Sequence, residues 1–334
     1  MIMHEPIRFT GLRGKLARHA PLAKHTSWRA GGPADTLYVP ADRDDLAAFL
    51  RQLPATEPLT VLGLGSNTLV RDGGVRGTVV VMHNPGAVLA IADGLVYADA
   101  TVAGPKLARF AANHDCADAE FLAGVPGTVG GALAMNAGCY GGETWNYVAR
   151  VEVLTRDGSF VVRTPDAYTI GYRSVRLRAA GPPQGAQSAP SGGSAAATAA
   201  GVGVQPDERS ALDGVFTAAW FRFPAGDAAQ ARARIKDLLA RRIASQPLSM
   251  PNAGSVFRNP PGDHAARLIE ACGLKGYAIG GARVSEMHAN FIVNPRGQGR
   301  AADIEALIEH VRATVRAQTG VDLEPEVRIT GTAE

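Results

Sequence analysis

The chain predicts an α+β fold of two or three domains, and three observations carry that expectation. Its 334 residues, 46% hydrophobic and 19% charged, are enough to bury more than one core. Short β-rich runs dominate the first half, and the helical patterns interrupt them instead of alternating with them in βαβ order. The second half opens and closes on amphipathic helical patterns.

Taken in order, strands are expected at residues 36–39, 59–62, 78–82, 95–100 and 148–154, the last leading through Asp157-Gly158 into 160–162. An Asp-Gly pair between two such runs is a strong hairpin signal, because both residues tolerate positive φ. Helices are expected near 44–53 and 105–113, then over 228–243 and over 264–272, where Gly273 supplies the stop. A last helix over 301–319 sets Ile304, Leu307, Ile308, Val311 and Val315 on one stripe before Gly320, which marks a core face. Residues 179–205 hold no charged residue and are almost entirely Ala, Gly, Ser, Pro and Gln. Such a segment buries too little to offset its ordering entropy, so a mobile loop is expected there, a tolerated insertion or a functional lid.

Charge and cysteine usage exclude several classes. Thirty-four Lys and Arg against 31 Asp and Glu leave only +3, and the basic residues are scattered, so no nucleic-acid footprint is present. Cys116, Cys139 and Cys272 are odd in number and lack CxxC spacing, which suits a reducing compartment and argues against disulfides or a metal site. No basic segment followed by an apolar stretch opens the chain, and a cytoplasmic location is expected. The most apolar long window, residues 121–138, contains Pro126 and five glycines; that composition suits a tight loop better than a membrane helix, so no membrane insertion is expected.

Two glycine-rich segments invite a phosphate-bearing cofactor. Gly63-Leu64-Gly65-Ser66-Asn67 follows a strand, but Thr68 stands where a Rossmann fingerprint needs its third glycine, and Leu69-Val70 begins another strand. The segment fits either a plain strand-to-strand turn or a nest of backbone N–H groups around an anion. Residues 123–138, with Gly124, Pro126, Gly127, Thr128, Gly130, Gly131, Asn136 and Gly138, fit close packing of two elements or the start of a helix near Gly127 aimed at a phosphate.

With these in view the chain resembles the UDP-N-acetylenolpyruvoylglucosamine reductase family. The resemblance rests on His25-Thr26-Ser27-Trp28-Arg29-Ala30-Gly31-Gly32-Pro33-Ala34, the two glycine segments, Gly171-Tyr172-Arg173-Ser174, Asn252-Ala253-Gly254-Ser255-Val256-Phe257-Arg258-Asn259-Pro260, Gly273-Leu274-Lys275-Gly276 and Leu323-Glu324-Pro325-Glu326-Val327-Arg328, in that order over nearly the whole chain. It implies two N-terminal FAD-binding α+β subdomains of non-Rossmann, vanillyl-alcohol-oxidase-like type and a C-terminal α/β substrate domain. The implied bounds are 1–82 joined by 325–334, 83–225 carrying the 179–205 insertion, and 226–324. The form of these motifs resembles the family's shorter type, which lacks an extra tyrosine loop. The insertion departs from the family pattern, which runs from a Tyr172-Arg173 strand almost directly into one like residues 215–223.

The resemblance also implies the chemistry. FAD bound non-covalently is reduced by NADPH and passes hydride from flavin N5 to the terminal carbon of an enolpyruvyl ether, so charge grows on the adjacent carbon and its carboxylate. The site must stabilise that charge and supply a proton. By resemblance Ser255 is the proton donor, Arg173 faces the developing oxyanion, and Glu326, raised in pKa by burial near the flavin, donates a hydrogen bond as a neutral acid. Read without the family, Gly254-Ser255 is a turn and Arg173 with Glu326 an ordinary ion pair. Arg29, Gly31, Gly63, Gly65, Ser66 and Asn67 join the residues of 124–138 as implied FAD contacts. Tyr172, Asn259, Lys275 and His288 are implied substrate contacts, although Tyr172 equally fits a support for Arg173, and His288 a satisfied histidine on a strand. A monomer acting on a UDP-sugar and NADPH is the expected assembly. Two other functions share these features: an FAD-dependent sugar or alcohol oxidase, for which no histidine or cysteine tether is evident, and a flavin-binding protein without turnover.

Overall fold

The computed structural model describes residues 9–83, 86–178 and 213–333, and the expectation for 179–205 lies outside the described residues. Strand β1 (Lys15–Pro21) is largely exposed and runs antiparallel to β2 (Pro33–Val39). Helix α1 (Arg43–Gln52) starts where Asp42 accepts from Asp45 N at 2.9 Å, a side-chain N-cap. Strands β3 (Leu59–Leu62), β4 (Thr68–Val70) and β5 (Val75–Val81) follow. The sheet order is β1-β2-β5-β3, with β5 parallel to both β2 and β3. The run Val79-Val80-Val81, buried throughout, suits the central parallel position of β5, covered on both faces. Phe49 of α1 stacks on Tyr38 of β2 at 4.0 Å between ring centroids, fixing the helix to the sheet.

The next stretch holds β6 (Leu89–Ala92), β7 (Leu95–Asp99), α2 (Gly104–Asn113), α3 (Val129–Met135), the two-residue strands β8 (Gly138–Cys139) and β9 (Gly142–Glu143), β10 (Val148–Leu154), β11 (Phe160–Arg163), β12 (Tyr168–Gly171), β13 (Ser174–Leu177) and β14 (Val215–Phe221). Five of them make an antiparallel sheet, β11-β10-β14-β7-β6, and β12 pairs only with β13. Gly158, at φ 82, turns β10 into β11 as the Asp-Gly pair predicts. The apolar window at 121–138 becomes a 3₁₀ turn and the seven-residue α3; among the described residues no helix is long and apolar enough to cross a membrane.

Helix α4 (Ala228–Ser245) buries Ala231 and Ile235 in the core of this second sheet, beside Leu107 and Phe221, although the sequence counted it with 226–324. Then come α5 (Ala265–Ala271), the antiparallel strands β15 (Ala278–Ile279), β16 (Ala282–Val284) and β17 (Ile292–Val293), α6 (Ala301–Thr319) and β18 (Arg328–Thr330). The α6 stripe is buried against Phe257, Leu268 and Ile292, and Gly320 ends the helix at φ 76. β18 returns to pair parallel with β4.

Two devices tie the ends of the chain together and thereby position the site. Trp28 is fully buried in the α6 core and its Nε1 donates to Ile292 O at 2.8 Å. The Asp72 carboxylate accepts from the first two N–H groups of α6, Ala301 at 3.0 Å and Ala302 at 2.9 Å, where helix donors lack intrahelical partners.

Candidate active site

The two glycine segments, some sixty residues apart, form one wall. The Ser66 hydroxyl bonds Pro126 O, a side chain at Gly63 would strike the Thr128 hydroxyl at 2.6 Å, and one at Gly127 would sit 3.1 Å from the Ser66 hydroxyl. Thr128 is the N-cap of α3, accepting from Gly131 N at 3.3 Å. At Gly131, which is exposed, an added Cβ would find nothing nearer than Thr128 Oγ1 at 3.7 Å. Gly131 therefore presents open backbone that a Cβ would fill, the surface a planar or phosphorylated group needs, and exposed Pro126 and half-buried Gly127 adjoin it.

Other glycines expected at the cofactor answer to packing. Gly65, at φ +60, would place a Cβ 2.2 Å from His25 O; Gly31 would meet Val70 at 2.8 Å, Gly124 the Cys139 sulfur at 2.7 Å, Gly130 Ala100 at 3.0 Å and Gly138 Gly142 O at 2.3 Å. Asn136 is buried with its side chain committed: Nδ2 donates to Glu143 Oε2 at 2.9 Å and Gly171 O at 3.3 Å, and Oδ1 accepts from Trp145 N at 3.1 Å. Its role is to hold the β12–β13 hairpin. Asn67 likewise secures the last segment, Nδ2 donating to Glu326 O at 3.1 Å. Arg29 is exposed, its stem lying 3.4 Å from where a Gly297 Cβ would stand.

Tyr172 and Arg173 form the tip between β12 and β13, with Arg173 at φ 52, so the sequence's Tyr-Arg strand is a turn. That turn aims both side chains at one carboxylate. Arg173 Nε lies 2.6 Å from Glu326 Oε1, the Tyr172 hydroxyl donates to Oε2 at 3.2 Å, and Arg173 Nη2 reaches Gly138 O at 3.4 Å. Only 20% of the Arg173 side chain and 10% of that of Glu326 remain exposed. Both Glu326 oxygens are thereby engaged, Oε1 by the guanidinium and Oε2 by the phenol.

Ser255 enters through a second pairing. Buried Asn290 clamps the segment that follows it, Oδ1 accepting from Phe257 N at 2.9 Å and Nδ2 donating to Phe257 O at 2.8 Å. Glu326 N then donates to Val256 O at 2.7 Å, so the residue after Ser255 is bonded to the backbone of Glu326. Gly254, at φ +78 with nothing within 4 Å of an added Cβ, leaves space beside half-buried Ser255.

Of the four expected substrate contacts, two share a hollow of about 380 Å³: Tyr172 and Asn259, with Arg258, Pro260, Pro261 and Leu323. Asn259 also accepts from Ala265 N at 3.1 Å, holding the start of α5. Lys275 and His288 do not line this hollow. Lys275 pairs with Glu270 at 2.8 Å. His288 lies in the loop between β16 and β17, not on a strand; its Nδ1 accepts from Asn290 N at 3.3 Å, and burial, with Lys275 adding, holds the imidazole below its ordinary pKa. Arg258 lies in the 252–260 motif and Asn290 two residues after His288, but neither has a role legible in sequence because their partners, Glu324 and Phe257, are distant in the chain.

The wall of open glycines lies within or beside residues 34–163, which match the family described as FAD binding domain. Fold and site thus define a flavoprotein of the non-Rossmann kind. Residues 246–330 match the C-terminal domain of UDP-N-acetylenolpyruvoylglucosamine reductase. The chain is 56% identical to the UDP-N-acetylenolpyruvoylglucosamine reductase of Nitrosospira multiformis over 97% of its own length and 91% of that relative, and 50% identical to that of Thiobacillus denitrificans over 96% and 93%. The crystal structure of UDP-N-acetylenolpyruvylglucosamine reductase from Thermus caldophilus superposes with a TM-score of 0.72 at 30% identity, covering 95% of this chain and 99% of the other. The chain belongs to the UDP-N-acetylenolpyruvoylglucosamine reductase family.

Proposed function

We propose that the protein binds FAD and, with NADPH as reductant, converts UDP-N-acetylenolpyruvoylglucosamine to UDP-N-acetylmuramate for peptidoglycan synthesis. The observation that carries this reading is the convergence of Arg173, Tyr172 and Glu326 beside the Ser255 segment. FAD held there would supply the hydride, drawn from NADPH, to the substrate. As the terminal enolpyruvyl carbon gains hydride, the double-bond electron pair moves to the adjacent carbon and its carboxylate. Arg173 stabilises the charge gathering on those oxygens, since its guanidinium is fixed in place before the reaction and need not reorganise. Ser255 gives its hydroxyl proton to the adjacent carbon, in a setting from which bound substrate excludes water, and regains one from solvent after product leaves. Glu326 orients Arg173 through its Nε and Tyr172 through its hydroxyl.

Pro126, Gly127, Gly131 and the Ser66 and Thr128 hydroxyls would hold FAD, with Gly31, Gly63, Gly65, Gly124, Gly130, Gly138 and Asn136 shaping that wall and Arg29 at its margin. Asn259 lines the substrate hollow, and Lys275 and His288 form a neighbouring pair of contacts. We take residues 9–82 with 325–333 as the first FAD-binding unit, 86–178 with 213–245 as the second because α4 packs there, and 246–324 as the substrate unit. The protein acts in the cytoplasm, as a monomer.

Absorbance of NADPH tests the reading. Rapid oxidation by purified protein only when UDP-N-acetylenolpyruvoylglucosamine is present supports it. Equal rates without the sugar nucleotide would indicate an oxidase, and bound yellow flavin with no oxidation a binding protein.

A further inference from the structure

Arg258 stands at the site with one of its buried donors unsatisfied. Its backbone N–H bonds Glu324 O at 2.9 Å, and its guanidinium turns back to the same residue end-on, Nη1 lying 3.0 Å from Glu324 Oε1. That carboxylate is 65% exposed, so the pair contributes little. The Arg258 Nε–H is buried and has no acceptor, which is costly for a charged donor. The Tyr172 ring, 5.3 Å from the guanidinium carbon, supplies a face along which the group can turn, and the hollow of about 380 Å³ lies beside both. A guanidinium offers Nε and Nη together as a fork that matches two oxygens of a phosphate, whereas the present pairing uses Nη1 alone.

We propose that Arg258 is a diphosphate-binding residue that leaves Glu324 for a nucleotide ligand and satisfies its Nε–H in doing so. The proposal rests on the functional reading above, in which two ligands carry a diphosphate: the sugar nucleotide and NADPH. Glu324 is the competing acceptor that holds Arg258 at the rim until the nucleotide arrives.

The test titrates purified holoprotein with UDP, followed by flavin absorbance, in the parent, Arg258→Ala, Arg258→Lys and Glu324→Gln. Loss of a charged hydrogen-bonding fork should weaken UDP binding at least about 10-fold in Arg258→Ala, and Arg258→Lys should restore little of it. Glu324→Gln should tighten UDP binding about threefold by removing the competitor, and that gain should disappear when Glu324→Gln is combined with Arg258→Ala, which separates it from simple loss of a negative charge in the hollow. A rise in KM for the sugar nucleotide alone in Arg258→Ala assigns the diphosphate to the substrate; a rise for NADPH alone assigns it to the reductant. Parent-like UDP affinity in Arg258→Ala, weaker binding in Glu324→Gln, or no UDP binding by the parent overturns the proposal. Turnover of the sugar nucleotide with Arg258-independent UDP affinity removes this inference and leaves the function; Arg258-dependent UDP binding without turnover does the reverse.

Discussion

Arg173 and Glu326, 153 residues apart in sequence, face each other with Nε 2.6 Å from Oε1. The contact closes the molecule on itself: Arg173 sits on the β12–β13 turn that Asn136 holds, and Glu326 precedes β18, which Asn67 and β4 hold. Each side chain is thereby fixed from its own side, so the Arg173 guanidinium is held in place in a largely buried pair and not in a surface ion pair. Arg173→Lys keeps the charge and loses the fork. Sugar reduction should fall about 10²-fold in kcat with little change in KM, the scale of losing one preorganised oxyanion donor; steady-state NADPH oxidation measures both.

Ser255→Ala separates the two halves of the reaction. NADPH should still bleach the flavin at the parent rate, while sugar reduction drops by roughly 10² or more, as for removal of a general acid. Stopped-flow absorbance reads each half, and undiminished turnover would take Ser255 out of the mechanism.

Two glycine substitutions distinguish packing from cofactor contact. Gly65→Ala puts a Cβ 2.2 Å from His25 O at positive φ, so the protein should lose stability outright, seen as a lower Tm in the flavin-free form. Gly131→Ala meets only Thr128 Oγ1 at 3.7 Å and lies inside α3, where alanine favours the helix by about 0.5–1 kcal/mol. The flavin-free Tm should hold or rise while bound FAD, read from the 450 nm to 280 nm absorbance ratio, falls.

How far the sequence disclosed this arrangement depended on whether the cause was local. The bounds of β3, β10 and α6 coincide with those expected at 59–62, 148–154 and 301–319, because alternation, helical spacing and Gly320 act within a few residues. β1 carries no apolar alternation to find, since it is an edge strand with most of its residues in solvent. The site was legible as motifs and not as geometry. Asn136 read as a cofactor contact, yet its side-chain hydrogen bonds go to Glu143, Gly171 and Trp145. Asn290 clamps Phe257 from 33 residues away, a relation that no spacing in the chain encodes.

Acid should weaken the fold through His288. Burial, then the charge of Lys275, lowers its pKa in the folded protein, so the unfolded chain takes up a proton first. The histidine's neutral form is favourable above the unfolded value of about 6.5, and that stability is lost as pH falls from there toward the lowered folded value. His25, lowered by burial and then by His83 and Lys24, acts in the same direction. His288→Gln should therefore show a smaller drop in Tm between pH 7 and pH 5 than the parent, measured by thermal melts in matched ionic strength.

The most direct measurement mixes holoprotein, reduced anaerobically with one equivalent of NADPH, with UDP-N-acetylenolpyruvoylglucosamine in the absence of oxygen. The oxidised flavin spectrum should return at a rate compatible with turnover, with UDP-N-acetylmuramate formed in equal amount. A protein that stays reduced until air is admitted would contradict the account.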